Sequence, residues 1–130
     1  MSTVGIIGAQ YLDDSDFSRD GRLMAGTQGK CKIVALVAGW CGHCKAMKPA
    51  LQEFFDQEGR VDCFVHEHNG GENGSASEKA LTARLSDVVP GFRGFPTLAM
   101  FGPDGRFMGN SDGYGRDAAG LSKWVAEKAM

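Results

Sequence analysis

Apolar residues in the first half of the chain fall into runs that predict different elements. Residues 31–38 form a nearly continuous apolar run rich in β-branched side chains, which is typical of a central strand covered on both faces. Residues 61–68 predict a second buried strand, and the short apolar run 4–7 predicts a first one. Between the two longer strands, residues 41–58 carry apolar side chains at helical spacing. Pro49 should kink or locally break this helix, because its ring clashes with the preceding turn.

The second half of the chain continues the alternation of helices and strands. Residues 69–77 are rich in Gly, Asn and Ser, which indicates an exposed loop, and Ser77 can cap the helix that follows. Residues 97–101 and 106–108 predict two short strands, joined by a Gly-Pro-Asp-Gly turn. Asp117 can cap a last helix. This order predicts an α/β protein with a parallel sheet and an antiparallel hairpin at its edge.

Composition and charge limit the classes of partner. The chain has 130 residues, which suits a single domain spanning residues 1–130. Its formal net charge is −2 and it has no basic run longer than two residues, so we expect neither nucleic acid nor a membrane surface as a partner. No apolar window is long enough for a membrane-spanning helix. Nothing in the sequence demands a dimer, and we expect a monomer.

The chain ends bear on the compartment. The N-terminal residues include neither a basic segment nor a long apolar stretch, and the C-terminal residues match no retention signal. We therefore expect a cytoplasmic protein. The lumen of the endoplasmic reticulum is the alternative, if a signal peptide has been removed.

The strongest chemical signal is the motif Trp-Cys-Gly-His-Cys-Lys at residues 40–45, where the central strand ends and the long helix begins. A helix N-terminus carries partial positive charge and unpaired N–H groups, which stabilise a thiolate. The two residues between the cysteines let the second sulfur close onto the first. One cysteine can therefore attack a disulfide, and the other can resolve the mixed disulfide that forms.

A zinc site is the alternative for a closely spaced cysteine pair. Zinc usually takes a second close pair of ligands, whereas Cys31 and Cys63 are single and widely spaced, so redox chemistry is favoured and no metal is expected. Because Cys31 and Cys63 lie at strand positions, we interpret them as buried inert thiols rather than as a regulatory disulfide or a dimer link.

Two further segments accompany the cysteine motif. Residues 93–97 read Arg-Gly-Phe-Pro-Thr, and a Gly-Arg pair at residues 115–116 precedes the last helix. With these three markers in order, the chain resembles the thioredoxin superfamily and, within it, the catalytic domains of protein disulfide isomerases. The resemblance implies the thioredoxin fold, a mixed sheet flanked by helices. It also implies thiol–disulfide exchange with protein or peptide substrates.

The resemblance also implies catalytic roles for particular residues. Cys41 is the attacking thiolate and Cys44 the resolving thiol, with no dissociable cofactor. Arg116 approaches Cys44 and favours its thiolate. His43, beside Gly42, favours the reduced form, which makes a better oxidant. We therefore expect a potential nearer to that of isomerases, about −180 mV, than to that of thioredoxin, about −270 mV. A thiol reductant or oxidant such as glutathione, or a reductase, would exchange electrons with the pair.

Substrate contacts follow from the same resemblance. The Phe95–Pro96 peptide is expected to be cis, and the Phe95 backbone to pair with the substrate chain. Trp40, a large aromatic residue beside the first cysteine, is expected to shape the substrate surface.

One position departs from the family pattern. Five residues before the tryptophan, the family has a buried Asp or Glu that moves protons for the resolving cysteine, and here that residue is Ala35. His66, on the next strand, falls near where relatives often carry lysine. We therefore expect His66, or a water molecule, to act as the proton acceptor. Two other functions stay open: a reductase of cytosolic disulfides, and a binding or scaffold subunit whose redox pair is dispensable.

Overall fold

The structure is a computed structural model that describes residues 4–68 and 76–129. Its strands are β1 (Gln10–Tyr11), β2 (Lys32–Ala38), β3 (Asp62–His68), β4 (Thr97–Phe101) and β5 (Phe107–Asn110). Its helices are α1 (Gly42–Gln57), α2 (Ala76–Ala83), α3 (Leu85–Val88) and α4 (Ala118–Lys128). None of the helices in these two ranges is long and apolar enough to cross a membrane.

The five strands form one mixed sheet with the order β1-β3-β2-β4-β5. Strands β1, β3 and β2 run parallel, whereas β4 pairs antiparallel with β2 and β5 pairs antiparallel with β4. The central strand β2 has a neighbour on each side, and all seven of its residues are buried. The prediction of an α/β protein with parallel strands and a late antiparallel hairpin is confirmed.

Side-chain alternation along β2 divides the interior into two cores. Ile33, Ala35 and Val37 face the first core, which packs against α1 and α4. Val34 and Leu36 face the second core, which packs against α2 and α3. The buried apolar side chains from Ile33 to Val37 therefore alternate between the two cores, and a shift of one residue moves each of them to the opposite face.

Helix α1 confirms the predicted long helix and carries the cysteine motif at its start. Met47, Leu51 and Phe54 are buried from it in the first core. The helix continues through Pro49 without interruption, so the predicted local break is wrong. Proline removes one backbone hydrogen bond at this position, but the buried residues on both sides anchor the helix to the sheet.

The N-terminal segment 4–7 is not a strand, contrary to prediction; the first strand is β1. Its apolar side chains are still buried at alternate positions, which explains the misleading pattern. Its backbone N–H groups donate to the side chains of Glu67, Tyr11 and Gln52 instead of to a neighbouring strand. Side-chain oxygens thus accept the backbone hydrogen bonds that a neighbouring strand would otherwise accept from this segment.

The helix predicted after Ser77 is divided in two. Most of the predicted loop 69–77 lies outside the described residues, and Ser77 lies inside α2, so it is not the cap. Arg84 leaves the helical conformation (φ −117°, ψ 21°) and separates α2 from α3. Its guanidinium donates to the Asp14 carboxylate and to the carbonyl oxygen of Phe17, which ties this bend to the opposite loop.

The hairpin and the last helix agree with their local sequence signals. The Gly105 N–H donates to the Gly102 carbonyl at 2.9 Å and closes the turn between β4 and β5. Gly105 has a φ of +84°, which explains why glycine stands there. The Asp117 carboxylate accepts the N–H of Gly120 at 2.7 Å and caps α4, as predicted. Helix α4 buries Trp124 against the first core.

Candidate active site

Cys41 lies at the junction between sheet and helix, where the sequence places the attacking thiol. It is the N-cap residue of α1, and its sulfur accepts the backbone N–H of Cys44 at 3.2 Å. A hydrogen bond from a backbone N–H stabilises negative charge on sulfur, and the partial positive charge of the helix terminus acts in the same direction. This placement suits a sulfur that takes part in disulfide exchange, in which negative charge develops on sulfur.

Cys44 has the opposite character. It is completely buried in the first core, and burial together with its hydrogen bond to Cys41 raises the pKa of the thiol to about 12. The positive charge of Arg116 lowers that pKa, but its effect is smaller than the effect of burial. Cys44 therefore holds its proton near neutral pH in the reduced protein, and it must lose the proton before it can attack a disulfide.

The Phe95–Pro96 segment lies against Cys41. The Phe95–Pro96 peptide bond is cis, and the Cys41 thiol donates to the Phe95 carbonyl oxygen at 3.7 Å. Trp40 is 61% exposed, and its ring lies edge-on to the Phe95 ring with 5.9 Å between centroids. The first cysteine is thus bordered by a backbone carbonyl on one side and by an exposed aromatic ring on the other.

The residues between the two cysteines face solvent. Gly42 is the first residue of α1, and it and His43 are both exposed. The structure therefore brings together Cys41, Cys44, Gly42 and His43 on the first turn of α1, with Phe95 against the first cysteine.

His66 does not lie where the sequence analysis put it. Ala35 pairs with Val65 in the sheet and faces the first core, as Cys44 does. His66 pairs with Leu36 and therefore lies on the other face of the sheet. The prediction that His66 takes a proton from Cys44 is corrected, because the sheet separates the two side chains.

The contacts of His66 suit a structural role. Its Nε2 lies 2.9 Å from the Thr82 hydroxyl and its Nδ1 lies 3.3 Å from the Leu12 carbonyl oxygen. Burial lowers the pKa of the imidazole, so the neutral ring is favoured in the fold. His66 therefore links β3 to α2 and to the chain after β1.

The sequence analysis missed two residues near the site. Glu67 is a buried carboxylate on the first-core face, and it accepts the N–H of Val4 at 2.9 Å. It anchors the N-terminal segment. His68, the last residue of β3, stacks on the Phe95 ring. Its place at the carboxyl end of a strand that borders the motif strand was the signal that could have identified it.

The other two cysteines sit in the sheet region. Cys63 pairs with Ile33, so Cys31 is offset from it by two residues along the neighbouring strands. The two cysteines are thus not paired with each other in the sheet, and both are free. Burial raises the pKa of both thiols, that of Cys63 to about 12. Both are therefore poor nucleophiles near neutral pH.

The described residues contain no cluster of three or more His, Cys, Asp or Glu side chains that could hold a metal ion. The prediction that the protein needs no metal or cofactor stays a prediction.

Comparison with known proteins agrees with the motifs. The thioredoxin family model matches residues 14–127. Protein disulfide-isomerase erp38 of Neurospora crassa is 34% identical over 101 residues, which are 77% of this chain and 25% of the relative. A protein disulfide-isomerase of Schizosaccharomyces pombe is 31% identical over 126 residues, 95% of this chain and 30% of the relative. The chain thus spans a quarter to a third of the length of these relatives.

Solved structures support the same fold. The short form of thioredoxin f from spinach chloroplast has a TM-score of 0.61 at 19% identity, over 97% of this chain and 98% of that one. The first two thioredoxin domains of Naumovozyma dairenensis Eps1p give a TM-score of 0.62 at 19% identity, over 96% of this chain and 42% of that one. The predicted thioredoxin fold is confirmed. The chain belongs to the thioredoxin family.

Proposed function

We propose that this protein is a thiol–disulfide oxidoreductase that acts on protein or peptide disulfides. It favours oxidation or isomerisation of its substrates over their reduction. The observation that carries the proposal is the hydrogen bond from the Cys44 N–H to the Cys41 sulfur at the start of α1. It combines an activated sulfur with a second thiol three residues away. The protein disulfide-isomerases among the relatives support the same chemistry.

Exchange proceeds in two displacements. The Cys41 thiolate attacks one sulfur of a substrate disulfide; the substrate S–S bond breaks, and the released substrate thiolate takes a proton. Cys44 then loses its proton and attacks the Cys41 sulfur in the mixed disulfide, which releases the second substrate thiol. The substrate has gained two electrons and two protons, and the protein holds the Cys41–Cys44 disulfide. The same steps in reverse oxidise a substrate dithiol.

The proton on Cys44 sets the balance between these outcomes. Burial raises the pKa of its thiol to about 12, and the buried position at Ala35 offers no carboxylate to accept the proton. Resolution by Cys44 is therefore slow, and Arg116 supplies the charge that favours its thiolate. A longer-lived mixed disulfide gives other thiols of the substrate time to attack, which yields isomerisation. His43 stabilises the reduced form of the Cys41–Cys44 pair.

The substrate surface consists of Trp40 and the Phe95–Pro96 segment. The Phe95 backbone lies against the Cys41 sulfur, where a substrate chain can pair with it in an extended conformation. Glutathione or a reductase supplies or removes electrons, and neither a metal nor a dissociable cofactor takes part.

A Cys41→Ser variant tests the proposal against the scaffold alternative. We expect it to lose reactivation of a protein with scrambled disulfides by at least about a thousandfold, because serine is a far weaker nucleophile at neutral pH. Cys63→Ser is the matched control and should keep its activity. Full activity in the Cys41→Ser variant, in this assay and in cells that depend on the protein, would leave only a binding role.

A further inference from the structure

His68 ties its own strand to the turn that leads into the active site. It ends β3 and pairs with Ala38, the last residue of β2. Its carbonyl oxygen accepts the N–H of Gly39 at 2.9 Å. The His68 backbone is thus hydrogen-bonded to Gly39, the residue that directly precedes Trp40.

The His68 ring completes a cluster of three rings, which we call the aromatic trio: Trp40, His68 and Phe95. His68 stacks on Phe95 with 6.0 Å between centroids and 21° between planes. It lies edge-on to Trp40 at 6.3 Å and 89°, and Trp40 lies edge-on to Phe95 at 5.9 Å and 88°. All three separations fall within the range of favourable aromatic pairs. Each ring therefore restrains the other two.

The aromatic trio borders the nucleophile through two of its members. Trp40 directly precedes Cys41, and the Phe95 carbonyl oxygen accepts from the Cys41 thiol. His68 contacts both of these residues from a third segment of the chain. Removing its ring would free the Phe95 ring on one face and the Trp40 ring on one edge.

Trp40 and Phe95 give the trio an apolar aromatic surface that continues the site, beside the imidazole of His68. Trp40 keeps 61% of its surface exposed, and Phe92 extends the cluster with its ring 5.3 Å from that of Phe95. No member of the trio carries a carboxylate or an ammonium group. Such a surface suits an aromatic or aliphatic side chain better than a charged one.

We propose that His68 is a positioning residue that sets substrate specificity. It holds Trp40 and Phe95 in place, so that the aromatic trio receives an apolar side chain next to the reacting cysteine of a polypeptide substrate. The proposal rests on the proposed function, since it names the substrate class of the same site. A preformed surface saves the cost of ordering these rings on binding, so its loss appears in KM more than in kcat.

Two peptide disulfides test this proposal. They share one sequence, except that the residue before the reacting cysteine is Phe in one and Asp in the other. Initial rates of their reduction are measured for the wild type, His68→Ala and His68→Phe, with Met108→Ala as a control. Met108 is an exposed apolar residue on β5, outside the site.

We expect the wild type to prefer the Phe peptide. The His68→Ala variant should raise KM for the Phe peptide about three- to tenfold, as expected for loss of aromatic pairs, and should reduce the preference. His68→Phe keeps a flat ring and should keep the preference, and Met108→Ala should match the wild type. Thermal unfolding of each variant checks that it is folded.

Two results would overturn the proposal. An unchanged ratio of kcat/KM between the two peptides in a folded His68→Ala variant, including equal losses for both peptides, rules out specificity through His68. A His68→Phe variant that behaves like His68→Ala shows a general structural effect. If the wild type reduces neither peptide, the proposed function fails as well, which distinguishes that outcome from the others.

Discussion

Cys41 and Cys44 differ from Cys31 and Cys63 in their backbone setting, although all four thiols are free and pack on the same side of the sheet. Burial does not separate the two pairs, because it raises the pKa of Cys44 and of Cys63 alike to about 12. The difference is that Cys41 caps a helix and accepts an N–H from its partner.

On the proposed function, placement at a helix start, rather than exposure, distinguishes the reactive pair from the other two cysteines. The first turn of the helix brings Cys44 back to Cys41, and the Cys44 N–H donates to the Cys41 sulfur. Cys31 and Cys63 lie on neighbouring strands with an offset of two residues, so they have neither the proximity nor the donors. Four variants test this difference between the two cysteine pairs.

The largest effect is expected from Cys44→Ser. Cys41 can still attack a substrate, but nothing within the protein resolves the mixed disulfide, so turnover as a reductase should fall by about a hundredfold or more. Mass spectrometry after mixing with a peptide disulfide should find the peptide bound to Cys41. Cys63→Ser is the matched control and should accumulate no adduct. Rapid turnover without an adduct in Cys44→Ser would contradict the assigned order of attack.

Ala35→Asp should accelerate resolution and weaken the fold. A carboxylate in the first core can accept the Cys44 proton, so we expect release of the second substrate thiol to quicken about tenfold in single-turnover measurements. The buried polar group should cost about 1–3 kcal/mol in urea unfolding. Ala99→Asp is the matched control: Ala99 is equally buried but faces the second core. It should lose stability without any gain in rate, and equal gains in both variants would refute the role of position 35.

Alkaline pH should lower stability through Cys31, Cys44 and Cys63, because burial raises the pKa of each of these thiols. The unfolded chain releases a thiol proton near pH 8.5, whereas folded Cys63 keeps its proton to a pKa of about 12. The free energy of unfolding should therefore fall as pH rises from about 8.5 towards 12. Cys63→Ala should make this fall shallower by at most about 1.4 kcal/mol per pH unit, as measured by urea unfolding of the reduced protein.

The rate of thiol–disulfide exchange is the second measurement for Cys63→Ala. Cys63→Ala should keep its rate within about twofold of the wild type, since the residue lies outside the reactive pair. A large loss of activity in a folded Cys63→Ala protein would erase the distinction between the two pairs. An unchanged alkaline slope would show that the Cys63 thiol is not held protonated by the fold.

The smallest effect is expected from His66→Gln, in acid. Burial lowers the pKa of His66 in the fold, so the unfolded chain takes up a proton near pH 6.5 before the folded protein does. Stability should therefore fall as pH drops below about 6.5, and His66→Gln should remove part of that slope in urea unfolding. The exposed His43 provides the control variant His43→Gln, which should keep the slope. A change in the pH–rate profile of exchange in His66→Gln would restore His66 as a proton acceptor.

Local sequence signals predicted the elements and the motif well. The apolar run of β2, the turn before β5 and the cap at Asp117 each depend on residues close together in sequence. The two cysteines of the motif also lie within one helical turn, so their proximity follows from spacing alone. The prediction of a strand at residues 4–7 is wrong because the alternating apolar side chains of this segment are buried without a strand partner.

Features that depend on strand register could not be predicted in the same way. Whether His66 faces Cys44 depends on the pairing of β3 with β2, and a shift of one residue reverses the answer. The stacking of His68 on Phe95 joins residues from distant segments, and no local pattern indicates it. Sequence therefore identified the cysteine pair, Trp40 and the Phe95–Pro96 segment, but not the positions of His66 and His68 relative to them.

The reduction potential of the Cys41–Cys44 couple is the decisive measurement for the proposed redox function. The protein is equilibrated in glutathione buffers of defined potential, its free thiols are alkylated, and mass spectrometry identifies each disulfide. The account predicts one internal disulfide, between Cys41 and Cys44, with a potential of about −180 mV, while Cys31 and Cys63 stay reduced. A potential near about −270 mV would contradict the isomerase-like balance, and a pair that never oxidises would contradict the redox function itself.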